Sequence, residues 1–174
     1  MSQSLRLAFV LALVALMTSC ATQTMHSPLA SASKSRRMAK VRTTAYTHTE
    51  AGGRSNAIGQ RLSGSNVQSA AADWSRFPLG TKFRIIDTNE VFQIDDYGTA
   101  LIGTNTIDLY KTNRLAMRKW GVRMVDIDIL EWGSETQSLQ VLSPRSHNRI
   151  CKRMIIALQQ KTRTQATQQL LRTF

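Results

Sequence analysis

The sequence predicts a mainly β domain followed by a basic C-terminal helix. Three observations carry this. Short apolar runs, several of them alternating with polar residues, recur between residues 41 and 132 and are separated by turn residues. All eleven acidic residues of the 174-residue chain lie between 43 and 143, where ten Lys and Arg balance them. From Pro144 onward the composition changes to seven basic residues and no acid, with Ile150, Met154, Ile155 and Leu158 near helical spacing.

Taken in order, residues 1–19 read as a signal peptide. Arg6 is the only charge before the apolar run Leu7–Met17, which is too short to span a bilayer and fits a secretion signal. Met17-Thr18-Ser19-Cys20 then resembles a bacterial lipobox, with Cys20 as the lipidated residue. Ordinary signal cleavage beside Ala21 is the competing reading. Residues 20–40 are Ser-, Thr- and Ala-rich, with Lys34, Arg36, Arg37 and Lys40 clustering at the end, and read as a flexible tether.

The domain is expected to span 41–143. Val41–His48 has strand-forming content. The stretch 50–64 holds Gly52, Gly53, Gly59 and Gly64 and reads as loop. Strands are expected near 66–73, at Lys82–Ile86 and at Val91–Ile94, the last two joined as a hairpin by Asp87-Thr88-Asn89-Glu90. Leu115, Ala116 and Lys119 suit a short helix, capped by Thr112 or Asn113 and stopped by Gly121. Val125, Ile127 and Ile129 alternate with Asp126 and Asp128, which marks a half-buried strand with two outward structural carboxylates. Trp74, Trp120 and Trp132 read as core or rim. Residues 144–174 form the basic, helical tail, with Gln159–Thr173 fraying. A boundary after Ser143 implies that the barrel works without the tail.

The chemistry-bearing stretch is Val91–Trp132. An apolar strand delivers Asp95-Asp96, Gly98 follows where the backbone turns or admits a close neighbour, and Asp108 lies between Ile107 and Leu109. Paired carboxylates beside glycine suit general acid/base work on sugars and equally suit a polar turn. Strand alternation places Asp95 and Asp96 on opposite faces.

Five ordered motifs narrow this. Ala71-Ala72-Asp73, Pro78-Leu79-Gly80-Thr81, Asp96-Tyr97-Gly98-Thr99-Ala100-Leu101-Ile102-Gly103, Ile107-Asp108-Leu109-Tyr110 and Gly121-Val122 resemble the 3D domain, a bacterial cell-wall family named for three aspartates. Thr44-Ala45-Tyr46 resembles its opening strand. The likeness covers about 41–132. It departs from the family pattern at Asp95, at Leu101 and in the spacer before Asp108.

The resemblance implies a six-stranded double-psi β-barrel with a short helix, like the C-terminal part of membrane-bound lytic transglycosylase A and stationary-phase survival proteins. It implies a peptidoglycan lytic transglycosylase that leaves 1,6-anhydro ends. Asp96 carries over as the acid/base, with Asp73 and Asp108 beside it. A protonated Asp near neutral pH needs a raised pKa, which burial and neighbouring carboxylates supply.

Tyr46, Lys82, Tyr97, Gly98 and Tyr110 are the substrate-binding candidates, each of which also suits packing. His48 reads as a surface residue. No cofactor or metal is expected: Cys151 and three scattered His show no ligand spacing. The partners expected are glycan strands and, through Cys20, a membrane facing the periplasm, the outer membrane being favoured. The net charge of +12 suggests nucleic acid, but secretion and the balanced domain argue against it. The alternative function is a non-catalytic glycan-binding or structural envelope lipoprotein.

Overall fold

A computed structural model describes residues 36–50 and 52–172. The signal peptide, Cys20 and the tether up to residue 35 lie outside the described residues. Six strands follow the period-two pattern: β1 Arg36–Tyr46, β2 Val67–Ala71, β3 Lys82–Ile85, β4 Val91–Asp96, β5 Ile107–Tyr110 and β6 Arg123–Glu131. They close into a barrel in the order β1-β5-β2-β4-β3-β6. Two neighbouring pairs, β1/β5 and β2/β4, run parallel, and the other pairs are antiparallel. Closure leaves no open sheet edge.

One side of each strand fills the interior. Val41, Ala70, Phe83, Ile85, Phe92, Ile94, Ile107, Leu109, Val125, Ile127 and Ile129 are all buried in one cluster. Each large aliphatic or aromatic side chain there contributes about 1.5–3 kcal/mol of burial free energy. Thr43 is the interior exception. Its hydroxyl donates to the Arg123 carbonyl at 3.2 Å and accepts from Trp120 Nε1 at 3.2 Å, so its polar group is satisfied.

Several expectations are met element by element. The β3–β4 hairpin turns at Asn89, whose φ of 56° suits the left-handed region. The helix α1, Arg114–Trp120, is capped by Asn113, which accepts from Ala116 N, and ends at Gly121 with φ 61°. Asp126 and Asp128 point outward to Arg37 (2.7 Å) and Arg84 (3.2 Å).

Other boundaries differ. β1 begins at Arg36, inside the stretch read as tether, because Arg36–Met38 pair with Ile127–Ile129 of β6. The register then shifts between Met38 and Val41. Lys40 takes φ 54° and its N–H donates to Asp126 Oδ1 at 3.0 Å, so the basic cluster is partly strand. A further helix, α2, Glu135–Leu142, went unread. Ser134 caps it by accepting from Gln137 N, the Ser-x-x-Gln signature of a helix start.

The tail is not an appendage. α3, Arg149–Leu171, stays helical to Leu171 without the fraying expected of its Gln-rich end. Its Cys151, Met154 and Leu158 are fully buried and join the cluster that holds the barrel core, as does Leu142 of α2. Ser138 of α2 accepts a hydrogen bond from Leu79 N at 2.9 Å, tying that helix to the turn after β2. Barrel and helices form one compact unit, so the boundary after Ser143 does not separate an independent barrel.

Deletion of 144–174 is therefore expected to abolish cooperative unfolding in a urea titration. Met154→Ala should keep the fold and lower stability by about 2–5 kcal/mol. A deletion variant that melts like the full chain would show α3 to be dispensable.

Candidate functional site

The site is a row of residues on the outer face of the barrel. Thr44 pairs with Asp108 across β1/β5, Asp108 with Ala71 across β5/β2, and Ala71 with Asp96 across β2/β4. Directly paired residues share a face, so the two carboxylates flank Ala71. Their backbones lie two strand spacings apart, about 9–10 Å. Ala71 is buried and small, leaving a floor between two acids. Two residues further along, Tyr46 pairs with Tyr110, their rings edge to face at 5.7 Å.

Asp96 is half-buried. Its Oδ1 accepts from Tyr97 N at 2.9 Å and its Oδ2 from the Tyr46 hydroxyl at 3.4 Å. Burial pushes its carboxyl up from the ordinary 3.8 to about 6, and the charge of Asp95 adds to the rise. The Tyr97 N–H and the Tyr46 hydroxyl oppose it. Burial, together with Asp96, Asp95 and Asp108, also raises the Tyr46 phenol, which therefore stays a protonated donor. Asp108 accepts from Thr44 Oγ1 at 2.6 Å. Its carboxyl too is raised, chiefly by burial, with Glu50 adding repulsion and Thr44 and Arg42 opposing.

The expectation that Asp95 and Asp96 face opposite sides is corrected. Ala70 pairs with Ile94 and Ala71 with Asp96, so Asp95 is the extra residue of a β-bulge. Its carboxylate accepts from Ser69 Oγ at 2.6 Å and Asn56 Nδ2 at 2.9 Å, both on Oδ2. Ser69 shares its face of β2 with Ala71, so both acids project to the same side. Asp95 is only 8% exposed, its Oδ1 has no hydrogen-bond partner among the described residues, and burial raises its carboxyl as well.

Asp73 stands apart from this row. It is buried just past β2. Its Oδ1 accepts from Ser75 N and Ser75 Oγ, and its Oδ2 from Gly103 N at 2.6 Å. Its backbone carbonyl accepts from Arg76 N and Phe77 N. These bonds make it a clamp between two loops.

The binding candidates also divide. Tyr46 touches Asp96. Tyr110 is buried, with its hydroxyl 2.9 Å from Nδ1 of His48, so His48 is half-buried in the tyrosine pair rather than a plain surface residue. Tyr97 turns away. Its ring packs edge-on against Trp74 at 5.1 Å, and its hydroxyl lies 3.4 Å from Cys151 Sγ and from an Arg145 nitrogen. Lys82 pairs with Glu131 at 3.0 Å. Gly98 has an extended backbone, φ −130°, so it makes no sharp turn, though an added Cβ would press on Leu101 at 3.3 Å.

The sequence reading missed Thr44, Asn56 and Ser69 as partners of the acids. Only Thr44 carried a signal, as the residue two before Tyr46 on the same strand face. Among the described residues, no group of three His, Cys, Asp or Glu side chains is placed to hold a metal ion. None of their helices is long and apolar enough to cross a membrane. No protein-family model matches the chain, and no curated protein matches it.

A carboxyl raised by folding makes the native state hold an extra proton between its unfolded and folded pKa values. The stability that this proton contributes is full below about pH 4 and is lost as pH rises through about 6. Asp96→Asn carries no charge at either pH. It should match wild type in urea titrations at pH 4 and exceed it at pH 7.5 by about 1–2 kcal/mol after solvent screening. Equal stability at both pH values would show Asp96 to be well solvated.

Proposed function

We propose that the protein is a peptidoglycan lytic transglycosylase of the 3D type, built on a double-psi β-barrel. The closed six-stranded barrel with two parallel pairs supports the fold reading. The observation that carries the activity is Asp96: a half-buried carboxyl, raised to about 6, exposed enough to reach a ligand and backed by a second acid. Such a group is protonated in a useful fraction of molecules near neutral pH.

In this reading, the glycan lies across the Ala71 floor. Asp96 gives its proton to the leaving glycosidic oxygen as the C1–O bond breaks. The sugar's own 6-hydroxyl forms the new bond to C1, and its proton returns to Asp96, so no water is consumed. Tyr46 holds the carboxylate during that exchange. Asp95 keeps the acid weak by repulsion, and Asp108, beside Thr44, faces the developing positive charge from across the floor. Asp73 holds the loop that carries Gly103. The protein is placed in the envelope by the proposed lipid on Cys20.

Mass analysis of products from purified sacculi tests this. Asp96→Asn should lower anhydro-muropeptide release about 10²–10⁴-fold. Asp95→Asn should lower it less, with the pH profile displaced to lower pH, because removing the neighbouring charge lowers the Asp96 pKa. A wild-type protein that binds sacculi but releases no anhydro ends would instead be a glycan-binding lipoprotein.

Cys20→Ser should move the protein from the membrane to the soluble fraction, since several acyl chains give stable anchoring. Retention through a high-salt wash would refute the lipid anchor. Release of the variant only in high salt would place the anchor in the basic segments.

A further inference from the structure

A cleft of about 280 Å³ opens between the loop after β2, the loop before β5 and the outer face of α3. Asp73, Arg76, Gly103, Arg153, Ile156 and Gln160 line it. Its one acid is already engaged: Asp73 accepts three hydrogen bonds, from Ser75 and Gly103. Its two guanidiniums are not neutralised. Among the described residues, Arg76 donates only to uncharged acceptors, Asn105 Oδ1 at 2.6 Å and the Gly103 carbonyl at 3.2 Å. Arg153 makes no ion pair among the described residues. Gly103, with φ +84°, brings bare backbone against it, since an added Cβ would sit 3.4 Å from Arg153 Nη2. α3 itself holds five basic residues and no acid.

Two guanidiniums that face one cleft and have no ion-pair partner among the described residues suit a carboxylate, which Arg binds through paired N–H donors. The walls add a second requirement. Ile102 lines the cleft, and Ile156, on its α3 side, is 45% exposed. A ligand that fits both is a carboxylate carried on a partly apolar body, as in a short acidic peptide. Position adds the third. Asp73 follows Ala71 by two residues, so the cleft begins about 7 Å along the chain from the row of carboxylates.

We propose that this cleft is a subsite for the acidic peptide attached to the glycan, with Arg153 and Arg76 holding its carboxylate and Ile156 its aliphatic part. Only the attachment to a glycan rests on the transglycosylase reading. The carboxylate-binding cleft stands on its own residues. The assignment also gives the basic C-terminal helix a role that its packing alone does not.

The test is heteronuclear NMR of the full chain titrated with L-alanyl-γ-D-glutamyl-diaminopimelate. Saturable shifts of the Gly103, Ile156 and Ala157 amides are expected, about tenfold weaker in Arg153→Ala and with the carboxylate-amidated peptide. Arg153→Lys should restore part of the affinity. No shift at these amides, or equal affinity in Arg153→Ala, would overturn the proposal. So would anionic lipid vesicles that shift the same amides, through Arg153, when the peptide does not. Peptide binding without anhydro products from sacculi would leave the cleft standing and remove the transglycosylase. Anhydro products without peptide binding would do the reverse.

Discussion

A single extra residue in β4 decides what the outer face of this barrel is able to do. Had β4 kept strict alternation past Ile94, Asp96 would share the face of Phe92 and Ile94 and point into the apolar interior. A carboxylate there has no affordable arrangement. The bulge at Asp95 resolves this by turning both acids outward against β2. The consequence is electrostatic. Ser69 and Asn56 satisfy one oxygen of Asp95 and leave the other bare, so that the acid behind Asp96 is fixed in place but poorly stabilised. Two such groups side by side hold protons more tightly than either would alone.

That arrangement opposes stability, and the surroundings show where the opposition is offset. Asp95, Asp96 and Asp108 are all raised chiefly by burial, which means that each is less stable charged in the folded chain than in water. The interior beneath them is apolar and filled, with Phe92, Ile94, Ile107 and Leu109 fully buried on the strands that carry the acids. The side of each strand facing inward supplies the burial free energy. The side facing outward holds the costly groups. Asp126 and Asp128 make the contrast. They lie on β6, where Asp126 accepts from Arg37 and from Lys40 N–H and Asp128 accepts from Arg84, whereas among the described residues no guanidinium or ammonium hydrogen-bonds to the raised acids.

The sequence was legible where periodicity or a local signal governs the backbone. The alternation in Val125–Ile129, the turn at Asn89 and the cap at Asn113 each act over a few residues, and each appears in the structure. Asp96 and Asp108 could be placed on strands for the same reason, and the separate motifs could not show that Ala71 lies between them. That pairing is long-range and sets which strands neighbour. The bulge was unreadable because Asp95-Asp96 looks like an ordinary doublet until β2 fixes the register. Asn56 sits in a glycine-rich loop with no period, so nothing local aims its amide at Asp95. The tail misled for a related reason: a basic, Gln-rich composition describes the exposed side of α3, while three residues, Cys151, Met154 and Leu158, decide that it packs.

One of the three, Cys151, also reaches the surroundings of Asp96. The Tyr97 ring packs against Trp74, whose indole N–H donates to the Asp96 carbonyl at 2.9 Å, and the Tyr97 hydroxyl meets Cys151 of α3. Arg145, just before α3, donates to the Ala57 carbonyl at 2.8 Å in the loop that carries Asn56. The helix is therefore linked both to the backbone of Asp96 and to the loop that holds Asp95. A displacement of α3 cannot leave either acid's supports untouched. The residue adjacent to Asp96 is thus used for packing, and Tyr46, Asp96 and Asp108 are left around a buried alanine on the outer face. Past the end of β2 the chain enters the wall of the cleft that Arg76 lines together with Arg153 of α3, so the helix that supports the surroundings of both acids also shapes the surface beyond them.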